Sequence, residues 1–164
     1  MNAIDLVLRP LRPRDTSAVA DLMSEHALWG DRDRVEHNRR IERLLDRGEY
    51  GLIAEFPEDD DRVLVGFALL SDGTFGDHGY IRLFGIRQRL TGRGIGTRLL
   101  DAAEALFVQR QIDRAFLLCT DWNTGAQVFY ERHGYERVGV LPHWLEPSVD
   151  QLIYVKRDLD AHSR

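Results

Sequence analysis

Apolar residues recur along this chain in two periods, and the switch between them marks the elements. Leu6 to Leu8 run into Arg9-Pro10 and predict a first strand ended by proline. Ala18, Val19, Leu22 and Met23 follow at helical spacing, with Asp15 as the expected N-cap. A second helix is expected from Arg34 to Arg47, apolar at Val35, Ile41, Leu44 and Leu45 and stopped by Gly48. Two strands, Tyr50 to Phe56 and Val63 to Leu70, read as a hairpin across the acidic turn Pro57-Glu58-Asp59-Asp60-Asp61. Gly73 to Gly79 reads as a loop, and Tyr80 to Arg87 as the fourth strand. From Gly94 to Gln111 the period returns to 3.6, with Ile95, Leu99, Ala102, Ala103, Leu106 and Phe107 on one face. A fifth strand from Ala115 to Thr120, a short helix from Gly125 to His133 and two more strands complete the chain. The order β-α-α-β-β-β-α-β-α-β-β predicts a mixed α/β sheet with helices on both faces.

Composition narrows the class. The 164 residues suit one domain with a sizeable core. The net charge of −5 argues against broad nucleic-acid binding, which needs basic surface. No apolar run reaches membrane-spanning length, and Met1-Asn2-Ala3-Ile4-Asp5 lacks a signal-peptide pattern, so a cytoplasmic location is expected. The single cysteine, Cys119, allows no internal disulfide and reads as a buried thiol in an apolar strand. No Cys/His set has metal-ligand spacing, so no metal is expected.

The chemistry concentrates at Leu90-Thr91-Gly92-Arg93-Gly94-Ile95-Gly96-Thr97-Arg98, a glycine-rich turn between a strand and a helix. Alternating glycines let backbone N–H groups converge with no Cβ in the way. The helix behind them begins with unpaired N–H groups and the positive end of its dipole. That arrangement suits a phosphate or pyrophosphate, and Arg87, Arg89, Arg93 and Arg98 add positive charge. A P-loop would need Gly-Lys-Ser/Thr, which is absent, and Gly92-x-Gly94-x-Gly96 fits a dinucleotide fingerprint poorly. A tight turn with no ligand is the remaining alternative.

A second segment, Asn123-Thr124-Gly125-Ala126-Gln127-Val128-Phe129-Tyr130-Glu131-Arg132-His133-Gly134-Tyr135, follows the fifth strand. Together the two motifs, in order and spacing, resemble the GNAT superfamily of acyl-CoA-dependent N-acyltransferases. The resemblance runs from Leu6 to Arg157 and implies a mostly antiparallel sheet of about seven strands, with strands four and five splayed apart. It implies acetyl-CoA as co-substrate, and a single N-acetyltransferase domain over residues 1–164. Its implied cofactor contacts are Gly92, Arg93, Gly94, Ile95, Gly96 and Thr97 for the pyrophosphate, with Phe84, Gly85, Ile86 and Asn123 along the pantetheine arm. At the turn this chain departs from the family pattern: Thr91 stands where Gln or Arg is usual, and Arg89 or Arg93 is expected to supply the missing charge. Gly85 in mid-strand fits either a close backbone approach or plain packing room.

Acyl transfer from a thioester needs a neutral amine, a polarised carbonyl and a protonated leaving thiolate. The resemblance places the general acid at Tyr130, whose phenol can donate to sulfur. Asn123 is also a candidate N-cap for the short helix. Strand alternation puts Tyr80, Arg82 and Phe84 on one face, so Tyr80 and Arg82 are candidate acceptor contacts, with Arg82 either binding a carboxylate on the acceptor or simply pairing with an acidic neighbour. The fourth strand carries no carboxylate where several family members keep a catalytic Glu. His78, Asp77, Glu25, His26, His37 and His143 are the remaining base candidates, and Leu141 to Pro147 with Trp29 reads as acceptor-pocket lining. The leading expectation is acetyl transfer from acetyl-CoA to a primary amine of a small molecule or protein by direct attack. A non-catalytic acyl-CoA-binding module of the same fold is the alternative, and the resemblance also admits a homodimer.

Overall fold

The computed structural model describes residues 5–30, 32–58, 61–73 and 76–159. In chain order these form β1 (Val7–Pro10), α1 (Thr16–Ser24), α2 (Arg34–Asp46), β2 (Tyr50–Glu58), β3 (Asp61–Asp72) and β4 (Gly79–Ile86). Then come α3 (Ile95–Gln109), β5 (Ala115–Thr120), α4 (Thr124–Arg132), β6 (Glu136–Glu146) and β7 (Val149–Lys156). Hydrogen bonding orders the strands β1-β2-β3-β4-β5-β7-β6. β4 and β5 are parallel, joined by the α3 crossover that a parallel pair requires. The pairs β1/β2, β2/β3, β5/β7 and β6/β7 are antiparallel. This is the mixed, mostly antiparallel seven-stranded sheet expected. Among the described residues no helix is long and apolar enough to cross a membrane.

The chain divides into two compact units, Met1–Ser71 with Leu83–Ala103, and Asp72–Arg82 with Glu104–Arg164. In the first, α1 and α2 bury Val19, Leu22, Met23 and Ile41 against Ile53, Phe67, Leu69 and Leu83. Trp29, in a short turn after α1, joins that cluster and packs on Phe67 at 5.7 Å between ring centroids. The opposite sheet face meets α3. A Cβ on Gly66, next to Phe67, would meet Ile86 Cδ1 at 2.6 Å and Leu99 Cδ2 at 3.5 Å. In the second unit, Phe107 of α3 covers Gly79, and Tyr130 of α4 joins an aromatic group with Tyr135 and Tyr154.

Element ends follow local chemistry. Gly48 stops α2 at a φ of +87°, and its N–H donates to Leu45 O at 2.9 Å. Asp33 caps α2 by accepting from Glu36 N–H at 2.9 Å. Asp15 stands at the N-cap position of α1 but does not cap it. Its carboxylate instead takes both terminal nitrogens of Arg9 at 2.8 Å and Arg12 N–H at 2.8 Å, because the charged, half-buried Arg9 guanidinium is the stronger donor. Arg9 also binds Glu55, so β1 is tied to β2 by charge as well as by its ladder.

Leu141–Glu146, expected to line an acceptor pocket, belongs to the long edge strand β6. An edge strand tolerates Pro142, which falls where the β6–β7 register shifts between Leu141 and Glu146. The irregularity the sequence signalled survives as a register shift and a φ of +51° at His143. The acidic hairpin pairs Pro57 with Arg62 and Glu58 with Asp61, and residues 59 and 60 lie outside the described residues. The loop before β4 is closed by Gly73 N–H to His78 O at 3.2 Å; its residues 74 and 75 also lie outside them.

Candidate active site

The glycine turn lies wholly in the first unit. After β4 a single helical turn, Gln88–Leu90, drops Leu90 into the core, and the chain then runs exposed through Thr91 to Gly94. Gly92 and Gly94 have φ of +76° and +77°, a region that disfavours any side chain. An added Cβ at either would meet no protein atom within 4 Å. Conformation and open space, rather than packing, therefore account for these two glycines. α3 begins at Ile95, and Arg98 N–H to Gly94 O at 3.2 Å is its first recorded bond, so the N–H groups of Ile95, Gly96 and Thr97 precede the helical ladder. Ile95 is buried and anchors the turn, while Gly96 and Thr97 are half-buried.

The four arginines around the turn divide by partner. Arg87 is structural: its Nε donates to Leu64 O at 2.7 Å, and it pairs with Glu25. Arg98 donates to Leu6 O at 3.1 Å. Arg89 and Arg93 are exposed, with no partner among the described residues. The two free cations are thus the ones expected to compensate for Thr91. Thr91 turns its hydroxyl inward, donating to Gln88 O at 3.0 Å.

Phe84, Gly85 and Ile86 end β4 in the same unit. Gly85 is explained by packing: a Cβ there would meet Trp29 Cη2 at 2.5 Å and Phe67 Cε1 at 3.0 Å. The Ile86 carbonyl accepts from His26 Nε2 at 2.9 Å, which fixes the proton on that nitrogen, and His26 stands edge-on to Trp29. Two base candidates are accordingly occupied, Glu25 by Arg87 and His26 by Ile86. His37 is fully buried, and its ring nitrogens have no partner among the described residues. Burial first, then Arg40 and Arg32, lower its pKa.

Tyr80, Arg82, Asn123 and Tyr130 all lie in the second unit. Burial alternates along β4, with Gly79, Ile81, Leu83 and Gly85 inside and Tyr80, Arg82, Phe84 and Ile86 half-buried. Tyr80 stacks on Phe116 of β5 at 4.5 Å, and the Arg82 guanidinium lies 4.8 Å from the Tyr80 ring centroid. The β4–β5 ladder joins Gly79–Ile81 to Ala115–Leu117, and both strands continue beyond its last rung. Asn123 caps α4 by accepting from Ala126 N–H at 3.2 Å. Tyr130 is buried among Phe129, Tyr135 and Tyr154; burial pushes its phenol pKa up, with the Cys119 sulfur adding to the effect. Burial likewise raises the Cys119 thiol to about 11, consistent with an inert structural cysteine.

A sequence profile of the acetyltransferase (GNAT) family matches residues 17–135, most of the chain and both motifs. The chain belongs to the GNAT family. No curated protein matches it. Solved structures agree in fold. A GNAT-family chain from Desulfovibrio desulfuricans superposes with a TM-score of 0.78 at 17% identity, over 94% of this chain and 99% of that one. Ard1 from Thermoplasma volcanium gives 0.76 at 19%, over 93% and 97%. The yncA protein of Salmonella typhimurium, solved with its cofactor acetyl-CoA, gives 0.71 at 17%, over 98% and 97%. At such identities the likeness is one of fold.

Within this GNAT fold the turn residues and the end of β4 belong to one unit, and Tyr80, Arg82, Asn123 and Tyr130 to the other. Two polar residues escaped the sequence reading, Thr120 at the end of β5 and Gln151 opposite it in β7. The only signal was a glutamine beside the apolar run Leu152-Ile153, where a strand core was expected.

Proposed function

We propose that the chain is an acetyl-CoA-dependent N-acetyltransferase of one catalytic domain, acting on a primary amine of a small molecule or protein. The observation that carries this reading is the open glycine turn, with Gly92 and Gly94 at positive φ and α3 starting behind them. In that reading Gly92, Arg93, Gly94, Ile95, Gly96 and Thr97 hold the pyrophosphate, backbone N–H groups binding its oxygens and Arg93 and Arg89 its charge. Backbone groups of Phe84, Gly85 and Ile86 and the Asn123 amide hold the pantetheine arm.

Tyr130 acts as general acid. The acceptor nitrogen attacks the thioester carbonyl directly, the C–S bond breaks, the Tyr130 O–H gives its proton to the leaving sulfur, and the proton shed by the attacking nitrogen restores the phenol. Its raised pKa keeps the phenol protonated throughout the range in which such a reaction runs. Tyr80 and Arg82 contact the acceptor. Arg82 is positioned there by its stack on Tyr80, so Arg82→Gln raises the acceptor KM more than that of acetyl-CoA.

The test is direct. Calorimetry with acetyl-CoA measures binding, and thiol release in the presence of an amine panel measures transfer. Micromolar binding with amine-dependent thiol release is expected. Failure to bind acetyl-CoA overturns the reading, and binding without release for any amine leaves a non-catalytic acyl-CoA module.

A further inference from the structure

Thr120 and Gln151 face each other across the antiparallel β5–β7 ladder, so their side chains project from the same side of the sheet. Leu141 of β6 flanks Gln151 on its other side. By strand alternation the same face carries Leu118 and Ile153, which also oppose each other. Cys119 and Leu152 point the opposite way. Gln151 is 2% exposed, and among the described residues its Nε2 has no hydrogen-bond partner. Thr120 Oγ1 is buried and equally without one. A buried donor left unmatched is costly, and here two adjacent donors share the defect on one apolar face.

Their backbone is held firmly. Gln151 is paired on both sides, and Asp121 N–H donates to Asp150 O at 3.1 Å, fastening the turn after β5 to the start of β7. Asp150 in turn accepts from His143 N–H at 3.1 Å, stabilising the irregular β6–β7 hairpin. The pair is therefore fixed in place at the same strand end that carries the Asn123 cap of α4. Gln127 of α4 donates its Nε2 there to the Thr120 and Asp121 carbonyls, at 3.3 and 2.8 Å, which ties α4 to the same strand end.

We propose that Thr120 Oγ1 and Gln151 Nε2 recognise the acceptor by donating to a carbonyl oxygen next to its amine-bearing carbon. The acceptor class is then α-amino carbonyl compounds, namely amino-acid amides and peptide N-termini, in preference to plain alkylamines. This rests on the acetyltransferase reading above. Transfer to such an acceptor forms the bond from nitrogen to the acetyl carbon, breaks the C–S bond, and moves one amine proton, net, to the thiolate. The products are the N-acetyl amide and coenzyme A.

The experiment compares leucinamide with isopentylamine, which has the same side chain and amine but no carbonyl. The carboxamide also lowers the amine pKa, so the readout is how the ratio of the two kcat/KM values changes between wild type and variant, in which that difference cancels. Gln151→Met and Thr120→Val keep the shapes and remove the donors. Each is expected to reduce the leucinamide preference by about tenfold or more, as loss of a built hydrogen bond does, while the acetyl-CoA Kd stays unchanged. An unchanged ratio in folded variants, meaning that water alone satisfies the pair, overturns the proposal. So does a wild-type chain that binds acetyl-CoA yet acetylates neither amine, or acetylates only isopentylamine. A chain that does not bind acetyl-CoA at all fails the underlying reading first, and the binding measurement shows which has failed.

Discussion

The indole of Trp29 stands where a side chain on Gly85 would have to go, 2.5 Å from the nearest point. Gly85→Ala forces that ring and Phe67 apart, and overpacking of this kind costs about 1–3 kcal/mol. Urea unfolding of Gly85→Ala should show that loss. The double variant with Trp29→Leu should recover part of it, because the smaller side chain vacates the space.

Gly94→Val tests the turn. The protein offers its Cβ open room, so the variant pays in backbone strain at φ +77° and in blocking whatever approaches from outside. Coenzyme A binding, followed by calorimetry, should weaken by about tenfold or more while the chain still folds. Unchanged affinity in a folded variant would remove the turn from the pyrophosphate site.

Tyr130→Phe removes one oxygen from a buried aromatic group and leaves its ring contacts in place. If the phenol is the acid, single-turnover acetyl transfer should slow by about a hundredfold, with acetyl-CoA affinity little changed. Equal rates with chemistry limiting would exclude the role.

Lys156 Nζ lies 2.7 Å from Glu104 Oε2, with both side chains at or below 10% exposure. Removing one partner strands the other charge. Lys156→Met should therefore destabilise by about 3–5 kcal/mol, and Lys156→Met with Glu104→Gln should restore most of it. Denaturant midpoints of the two variants settle the comparison.

Alkaline pH should unfold this chain through neutral acids that folding protects. Burial raises the pKa values of Tyr130 and Tyr135, and lifts Cys119 to about 11 and Tyr154 to about 12. Below their ordinary values, 9.0 for the thiol and 10.0 for the phenols, both states keep their protons and stability is full. Above them the unfolded chain ionises while the folded chain does not, so stability falls as pH climbs toward the raised values. Melting temperature should hold below pH 9 and decline beyond it, and Tyr154→Phe should soften the decline.

What the sequence showed best was whatever depends on neighbours along the chain. The periodicity of Ile95, Leu99, Ala103 and Phe107 located α3, and alternation located β4, because each reports one local geometry. The glycine turn was legible because only a positive φ explains residues 92 and 94. Partners distant in sequence were not legible. Nothing local says that Arg98 binds Leu6, that Asp15 prefers Arg9 to its own helix, or that Trp29 dictates Gly85. The site residues divide the same way: their types were visible, while Thr120 and Gln151 became a pair only through register.

β7 lies between β5 and β6, although β6 precedes it in the chain. During synthesis, then, β5 and β6 emerge with an eight-residue gap between them that only Val149–Lys156 can fill. Until that strand leaves the ribosome, the edges of β5 and β6 facing it have no native partner and are open to aggregation or to chaperones. A premature stop before residue 149 would remove an interior rung rather than trim an edge. Protein quality control should consequently see such a truncation as unfolded, despite the presence of both sequence motifs.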